Sequence, residues 1–220
     1  NIALANEFAM LAEQIGVDVW EAIRLANRHP RVQILQPGPG VGGHCIAVDP
    51  WFLVEAAPEK ARLIELARQV NDDMPAHVVE LVEEATEEIE NPVIAALGLT
   101  YKANVDDLRS SPALEIIRQL LKKGYQVRAC DPHLRGLPGE LIPLFPLQSA
   151  LQGADCLLLL VDHNEFKELS PQDIGPLMRH KLVVDTRRCL QAREWQMVDF
   201  KVIVLGNRSQ VPGTSEVPGT

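Results

Sequence analysis

The chain has 220 residues, 46% hydrophobic and 5% aromatic, with a formal net charge of −9. That length holds one large domain or one and a half, with ample apolar content for a core, and the acidic balance excludes a general nucleic-acid binder, which carries a basic face. Mean hydropathy is −0.01 and no apolar run approaches the ~20 residues of a bilayer span, so neither nucleic acid nor membrane is an expected partner, while a few arginines and backbone amides remain able to bind a small anion.

Ile2, Leu4, Ala5, Phe8, Leu11, Ala12 and Ile15 recur at three- and four-residue intervals, which predicts a helix stopped by Gly16. Asp18 is placed to cap a second helix over Val19 to Asn27. Residues 51–90 return to helical periodicity, with interruptions expected at Pro58 and Pro75. After Asn91-Pro92 the texture changes to strands alternating with helices. Strands are predicted at Val93 to Thr100, Tyr125 to Asp131, Asp155 to Asp162, Lys181 to Asp185 and Lys201 to Leu205, with helices at Pro112 to Lys123 and Leu147 to Gln152. This pattern predicts an α/β fold with a Rossmann-like, doubly wound parallel sheet behind a helical segment. Ligands in such sheets sit at the carboxyl ends of the strands, which draws attention to Thr100 to Lys102, Asp131 to His133, Asp162-His163 and Asp185 to Arg187. The expected division is a helical dimerisation segment over 1–90, an α/β domain over 91–208 and a disordered tail over 209–220, where Val-Pro-Gly-Thr occurs twice. The opening residues show no basic stretch of a secretory signal, and four scattered cysteines without a CxxC pair suit a reduced, cytoplasmic protein and no metal site.

Between the second helix and residue 51 lies a loop that neither helix nor strand can form. Gln36 to His44 holds four glycines and two prolines in nine residues and leads straight into Cys45. Glycine stays in such a loop where backbone must approach something closely, or where φ is positive. Two readings of Cys45 stand on spacing alone: a nucleophile presented at the loop's end, with Asp49 four residues on, or a small buried thiol after a turn.

Three stretches carry a resemblance: Ala26 to Phe52 around the Gly-Gly-His-Cys tetrad, Ala61-Arg-Leu-Ile-Glu-Leu-Ala-Arg-Gln-Val-Asn-Asp72, and Gly98-Leu-Thr-Tyr-Lys-Ala-Asn-Val-Asp-Asp-Leu-Arg-Ser-Ser-Pro112. With Leu160 to His163 and Val183 to Arg187 in register, residues 1 to about 190 resemble the NAD-dependent nucleotide-sugar 6-dehydrogenases. The resemblance implies their central helical and C-terminal UDP-binding parts only. No Gly-x-Gly-x-x-Gly follows a strand near the start, so the NAD-binding domain is expected to be absent from this chain, as in a truncated protein that is inactive alone.

The family reaction oxidises a sugar C6 alcohol to a carboxylate in two hydride transfers to NAD, through a cysteine thiohemiacetal and thioester. The resemblance assigns Cys45 as nucleophile and Asp49 as the base that activates the hydrolytic water, with helix capping beside Pro50 as the alternative for Asp49. It assigns Arg31, Gly40, Gly42, Gly43, Lys102 and Arg187 to the substrate. The resemblance implies a homodimer in which Arg31 reaches the nucleotide-sugar of the partner subunit. Arg109 is assigned to the cofactor; its plain alternative is a loop charge paired with Asp106 or Asp107. Arg188 stands where relatives often have glycine. His44 contacts the sugar or steadies the loop, and Cys130, Cys156 and Cys189 are core thiols. The implied substrate is UDP-N-acetyl-D-mannosamine, favoured by Ala47, with UDP-N-acetylglucosamine as the second choice, serving bacterial polysaccharide synthesis. A non-catalytic dimeric UDP-sugar-binding module is the reading from a different class.

Overall fold

A computed structural model describes residues 1–137 and 142–207. The chain begins with α1 (Ile2–Ile15) and α2 (Val19–Ala26), followed by an irregular stretch to α3 (Asp49–Ala56) and the long α4 (Arg62–Thr86). Then β1 (Val93–Leu97), α5 (Pro112–Lys122), β2 (Gln126–Cys130), α6 (Leu147–Leu151) and β3 (Cys156–Leu159) alternate. Three short helices, α7 (Asn164–Lys167), α8 (Pro171–Ile174) and α9 (Ala192–Gln196), surround β4 (Leu182–Asp185) and β5 (Lys201–Val204). The tail over 209–220 and the last residue of the 91–208 span lie outside the described residues.

All five strands are parallel, in the order β2-β1-β3-β4-β5. The strand order reverses between β1 and β3, so the crevice outside their carboxyl ends is the place where a doubly wound sheet binds ligand. Successive strand residues serve opposite faces. Ala95, Leu97, Leu157 and Val183 join Trp195 and Phe166 in one core, which also takes in Ala5 and Ala9 of α1 and Val19, Trp20 and Ile23 of α2. Ile94, Ala96, Leu158 and Val184 join Met74, Val78 and Val82 of α4 and Ile116, Ile117 and Leu120 of α5 in the other. Burial on both faces explains the unbroken apolar runs that read as parallel strands.

Local chemistry sets the first boundaries. Gly16 takes φ 73, and its N–H bonds the Ala12 carbonyl to close α1. Asp18 accepts from the amides of Trp20 and Glu21 and opens α2. Trp20 then donates its indole N–H to the Leu205 carbonyl at 2.7 Å, tying the helical pair to the end of β5.

One expectation fails. Pro58 lies in the break between α3 and α4, but Pro75 does not interrupt α4, which runs through it. An internal proline costs a helix ~3 kcal/mol through a lost hydrogen bond and a ring clash. Here the buried Met74, Val78, Val79 and Val82 around it, packed on α5 and the sheet, offset that cost at ~1.5–3 kcal/mol per buried side chain. The short α7, α8 and α9 are too brief to leave a periodic signature in the sequence.

Candidate functional site

The glycine loop lies against the carboxyl ends of the strands, and its glycines are needed for different reasons. At Gly42 a Cβ would meet the Ser110 carbonyl at 2.5 Å, Tyr101 Cβ at 2.8 Å and Pro112 Cδ at 2.9 Å. Gly43 has φ +90 and lies against the Tyr101 ring, with its N–H on the Arg109 carbonyl at 2.9 Å. Gly40, at φ +124, fits between the Asn71 carbonyl and Pro112. The β1–α5 connection therefore meets the loop backbone to backbone, an approach that side chains would block. A buried amide pair anchors the other end. Asn6 of α1 donates to Asn71 of α4 at 2.9 Å and accepts from the Gly38 amide at 2.9 Å.

A cleft of about 310 Å³ opens at the reversal point of the sheet, lined by Pro39 and Gly40 of the loop, Thr100 to Ala103 after β1, Asp162 after β3 and Arg187 after β4. Of the residues assigned to substrate, Gly40, Lys102 and Arg187 meet here. Arg187 is held from both ends. Its amide donates to buried Asp185 and its Nε donates to Asp162 at 3.1 Å, while its guanidinium lies over Gly38. Desolvation pushes the Asp185 carboxyl up, against the pull of the Leu190 and Arg187 amides. Arg188 takes φ 49 and contacts Asp18 at 3.3 Å.

Lys102 is rooted in a turn that sequence reasoning left without a support. Beneath it His163 and the Asp131 side chain are completely buried and bonded to each other at 3.1 Å. Asp131 also accepts from the amides of Leu99 and His133. Burial pushes its carboxyl up, but His163 and these amides outweigh that and leave it lowered. Both residues belong to the post-strand positions that the fold singled out; their pairing across 32 positions left no signal in the sequence.

Cys45 and Asp49 stand on an exposed turn beyond the cleft. The Cys45 carbonyl accepts from the amides of Val48 at 3.0 Å and Asp49 at 2.8 Å, which fixes the two residues across the turn that leads into α3. Asp49 occupies the first helical position, and Val48 the cap, so the capping alternative for Asp49 does not hold. All four cysteines are free, and Cys45 alone is exposed. Burial pushes Cys130 up to about 11 and Cys156 and Cys189 up to about 12; Cys130 and Cys156 are the expected core thiols, whereas Cys189 is half-buried against the core. Arg109 forms a two-pronged ion pair with Asp107, at 2.5 Å for its Nη2, and holds that carboxyl at about 2. This is the loop pairing expected as its alternative. Arg31 is exposed after α2 and lines neither this cleft nor the one behind the loop, and its amide rests on His29 Nδ1 at 3.3 Å.

Behind the loop a second cleft of about 520 Å³ is walled by Trp51 of α3, Arg68 and Asp72 of α4, Ser111 at the cap of α5 and Arg118 of α5. The buried Arg68 pairs with Asp72 and approaches the Ile46 carbonyl at 3.5 Å. Among the described residues His133, His163 and Glu165 are close enough to share a metal. Both ring nitrogens of His163 are already engaged, by Asn104 and Asp131, so the trio does not offer three free ligands.

Comparison with known proteins fits this geometry. Residues 95–192 match the UDP binding domain of the UDP-glucose/GDP-mannose dehydrogenase family, and residues 1–73 match its central domain. An NDP-N-acetyl-D-galactosaminuronic acid dehydrogenase of Ralstonia solanacearum is 51% identical over 88% of this chain and 45% of its own. A UDP-N-acetyl-D-mannosamine dehydrogenase of Methanocaldococcus jannaschii is 46% identical over 94% of this chain and 48% of its own. Among solved structures, a UDP-D-ManNAc dehydrogenase from Pyrococcus horikoshii superposes with TM-score 0.86 and 43% identity, over 96% of this chain and 49% of that one. The chain spans about half the length of the curated relatives it matches.

Proposed function

We propose, because the chain belongs to the UDP-glucose/GDP-mannose dehydrogenase family through its central and UDP-binding domains, that it carries the nucleotide-sugar site and the nucleophile for oxidation of UDP-N-acetyl-D-mannosamine at C6. The observation that supports this most is the cleft at the β1/β3 reversal, where Gly40, Lys102 and Arg187 converge. Two cations and a close-approached backbone suit a diphosphate. Lys102 is the free cation of the pair, and Arg187 reaches a ligand once it loosens from Asp162.

Cys45 attacks the C6 aldehyde as a thiolate and holds the carbon as a thiohemiacetal, then as a thioester after the second oxidation. Asp49, one helical turn on, takes a proton from the water that releases the acid. NAD, the cofactor of the family, supplies the hydride acceptor when bound. Arg109 is the residue assigned towards it: exposed, and held by its carbonyl on the Gly43 amide of the loop that leads to Cys45, it fits an anionic dinucleotide once Asp107 gives way. Arg31 and the outward apolar side of α1 belong to a homodimer, in which Arg31 meets the partner's nucleotide-sugar.

Calorimetric titration of this chain tests the cleft directly. UDP and UDP-N-acetyl-D-mannosamine are expected to bind saturably, and Lys102→Ala to weaken both at least about tenfold, the loss of one hydrogen bond to a charged group. An unchanged affinity in Lys102→Ala would place the ligand elsewhere. The relative named for a galactosamine-derived acid favours a second reading at the sugar, so UDP-N-acetylgalactosamine and UDP-N-acetylglucosamine belong in the same titration.

A further inference from the structure

We infer that His163 is a positioning residue: it fixes the turn that carries Lys102, and so the grip of the cleft on a nucleotide diphosphate. The inference rests on the cleft reading above. Lys102 is exposed and its ammonium approaches the Tyr101 ring at 5.5 Å, so where it reaches depends on how its backbone is held. Two contacts hold it, and His163 makes the first. Its Nδ1 accepts from the Asn104 amide at 2.9 Å, on the far side of Lys102. The other runs from Thr100 Oγ1 to the Lys102 carbonyl at 2.8 Å; His163 Nε2 lies 3.3 Å from that hydroxyl but gives its proton to Asp131.

The acceptor role of Nδ1 places the ring proton on Nε2, where it is donated to Asp131. Asn104 takes φ 60 and accepts the Asn164 amide at 3.0 Å, locking the turn to α7. The imidazole therefore has two separable jobs. The Nε2 side serves the buried carboxylate, a matter of stability. The Nδ1 side serves the Lys102 turn, a matter of binding.

Two substitutions separate these jobs. His163→Asn keeps an acceptor near Nδ1 and gives up the donor towards Asp131; His163→Gln keeps a donor near Nε2 and gives up the acceptor. Expected is a lower melting temperature but near-normal UDP affinity for His163→Asn. For His163→Gln, melting stays near normal and UDP binds about tenfold more weakly, the fold-change of one lost hydrogen bond. In a Lys102→Ala background, His163→Gln is expected to cost no further affinity, because it acts through that lysine. Amide exchange at Asn104 provides a readout without ligand: fast in His163→Gln, slow in His163→Asn. Affinity that follows melting temperature across the variants, an additive double substitution, or equal exchange at Asn104 would each overturn the inference. If the wild-type chain does not bind UDP, the cleft reading fails, and exchange at Asn104 still decides whether His163 holds the turn.

Discussion

Gly42 and Gly16 show how differently one residue type is used. Gly16 ends α1 at φ +73 with open space where a Cβ would stand, whereas Gly42 is pressed between the Ser110 carbonyl, Tyr101 and Pro112. Gly16→Ala is expected to cost ~1–2 kcal/mol through the left-handed backbone. Gly42→Ala costs ~1–3 kcal/mol through overpacking. Urea unfolding reads similar losses in the two, but only Gly42→Ala pushes the loop off the β1–α5 connection and weakens UDP binding. Equal affinities in the two variants would mean that the loop does not shape the cleft. Arg188 makes the complementary point: a residue other than glycine holds φ 49 where its side chain finds Asp18 and the Trp20 ring.

At the scale of elements, α4 is the member on which the rest is hung. It continues through Pro75, holds the glycine loop through Asn71 and Asn6, and reaches α1 through His77. His77 Nε2 lies 2.9 Å from a carboxylate oxygen of buried Glu13, whose other oxygen accepts the Gly206 amide at 2.6 Å. Burial pulls the His77 pKa down, but Glu13 and Glu80 outweigh it and leave the group raised. A raised folded pKa gives stability that is fully present below the ordinary histidine value of ~6.5 and lost as pH rises through the folded value. The urea midpoint is therefore expected to fall between about pH 6.5 and the raised pKa. His77→Gln should flatten that part of the profile; an unaltered slope would remove His77 from the account.

Over the whole molecule, the sheet is covered on both faces, yet α1 keeps Leu4, Phe8, Leu11 and Ile15 outward, with Phe8 37% and Leu11 48% exposed. Spaced by one and two helical turns, they form one stripe beside a groove of about 370 Å³ walled by Ala22, Ala26 and Ile34. Contiguous apolar surface of this kind marks an interface. Sedimentation of the chain is expected to give a dimer that Phe8→Glu with Leu11→Glu converts to monomer while melting cooperatively; a wild-type monomer would reject the proposed homodimer.

Residues near one another in sequence, and periodicities of two and of three to four, were enough to place α1, α2, α5 and all five strands, because caps, turns and alternating burial are local chemistry. The same local reading drew attention to Lys102 and Arg187, since the carboxyl ends of strands in a doubly wound sheet are known before their neighbours are, and it marked Gly40 only as one glycine of a loop built for close approach. It failed at Pro75, where the cost of a proline is local and the packing that offsets it is not. It was also silent on every pairing that gives the site its shape: Asn6 with Asn71 and Gly38, His163 with Asp131 and Asn104, and Arg187 with Asp162. These join residues 25 to 65 positions apart, and a polar side chain carries no mark of its partner until burial withdraws water and makes that partner obligatory.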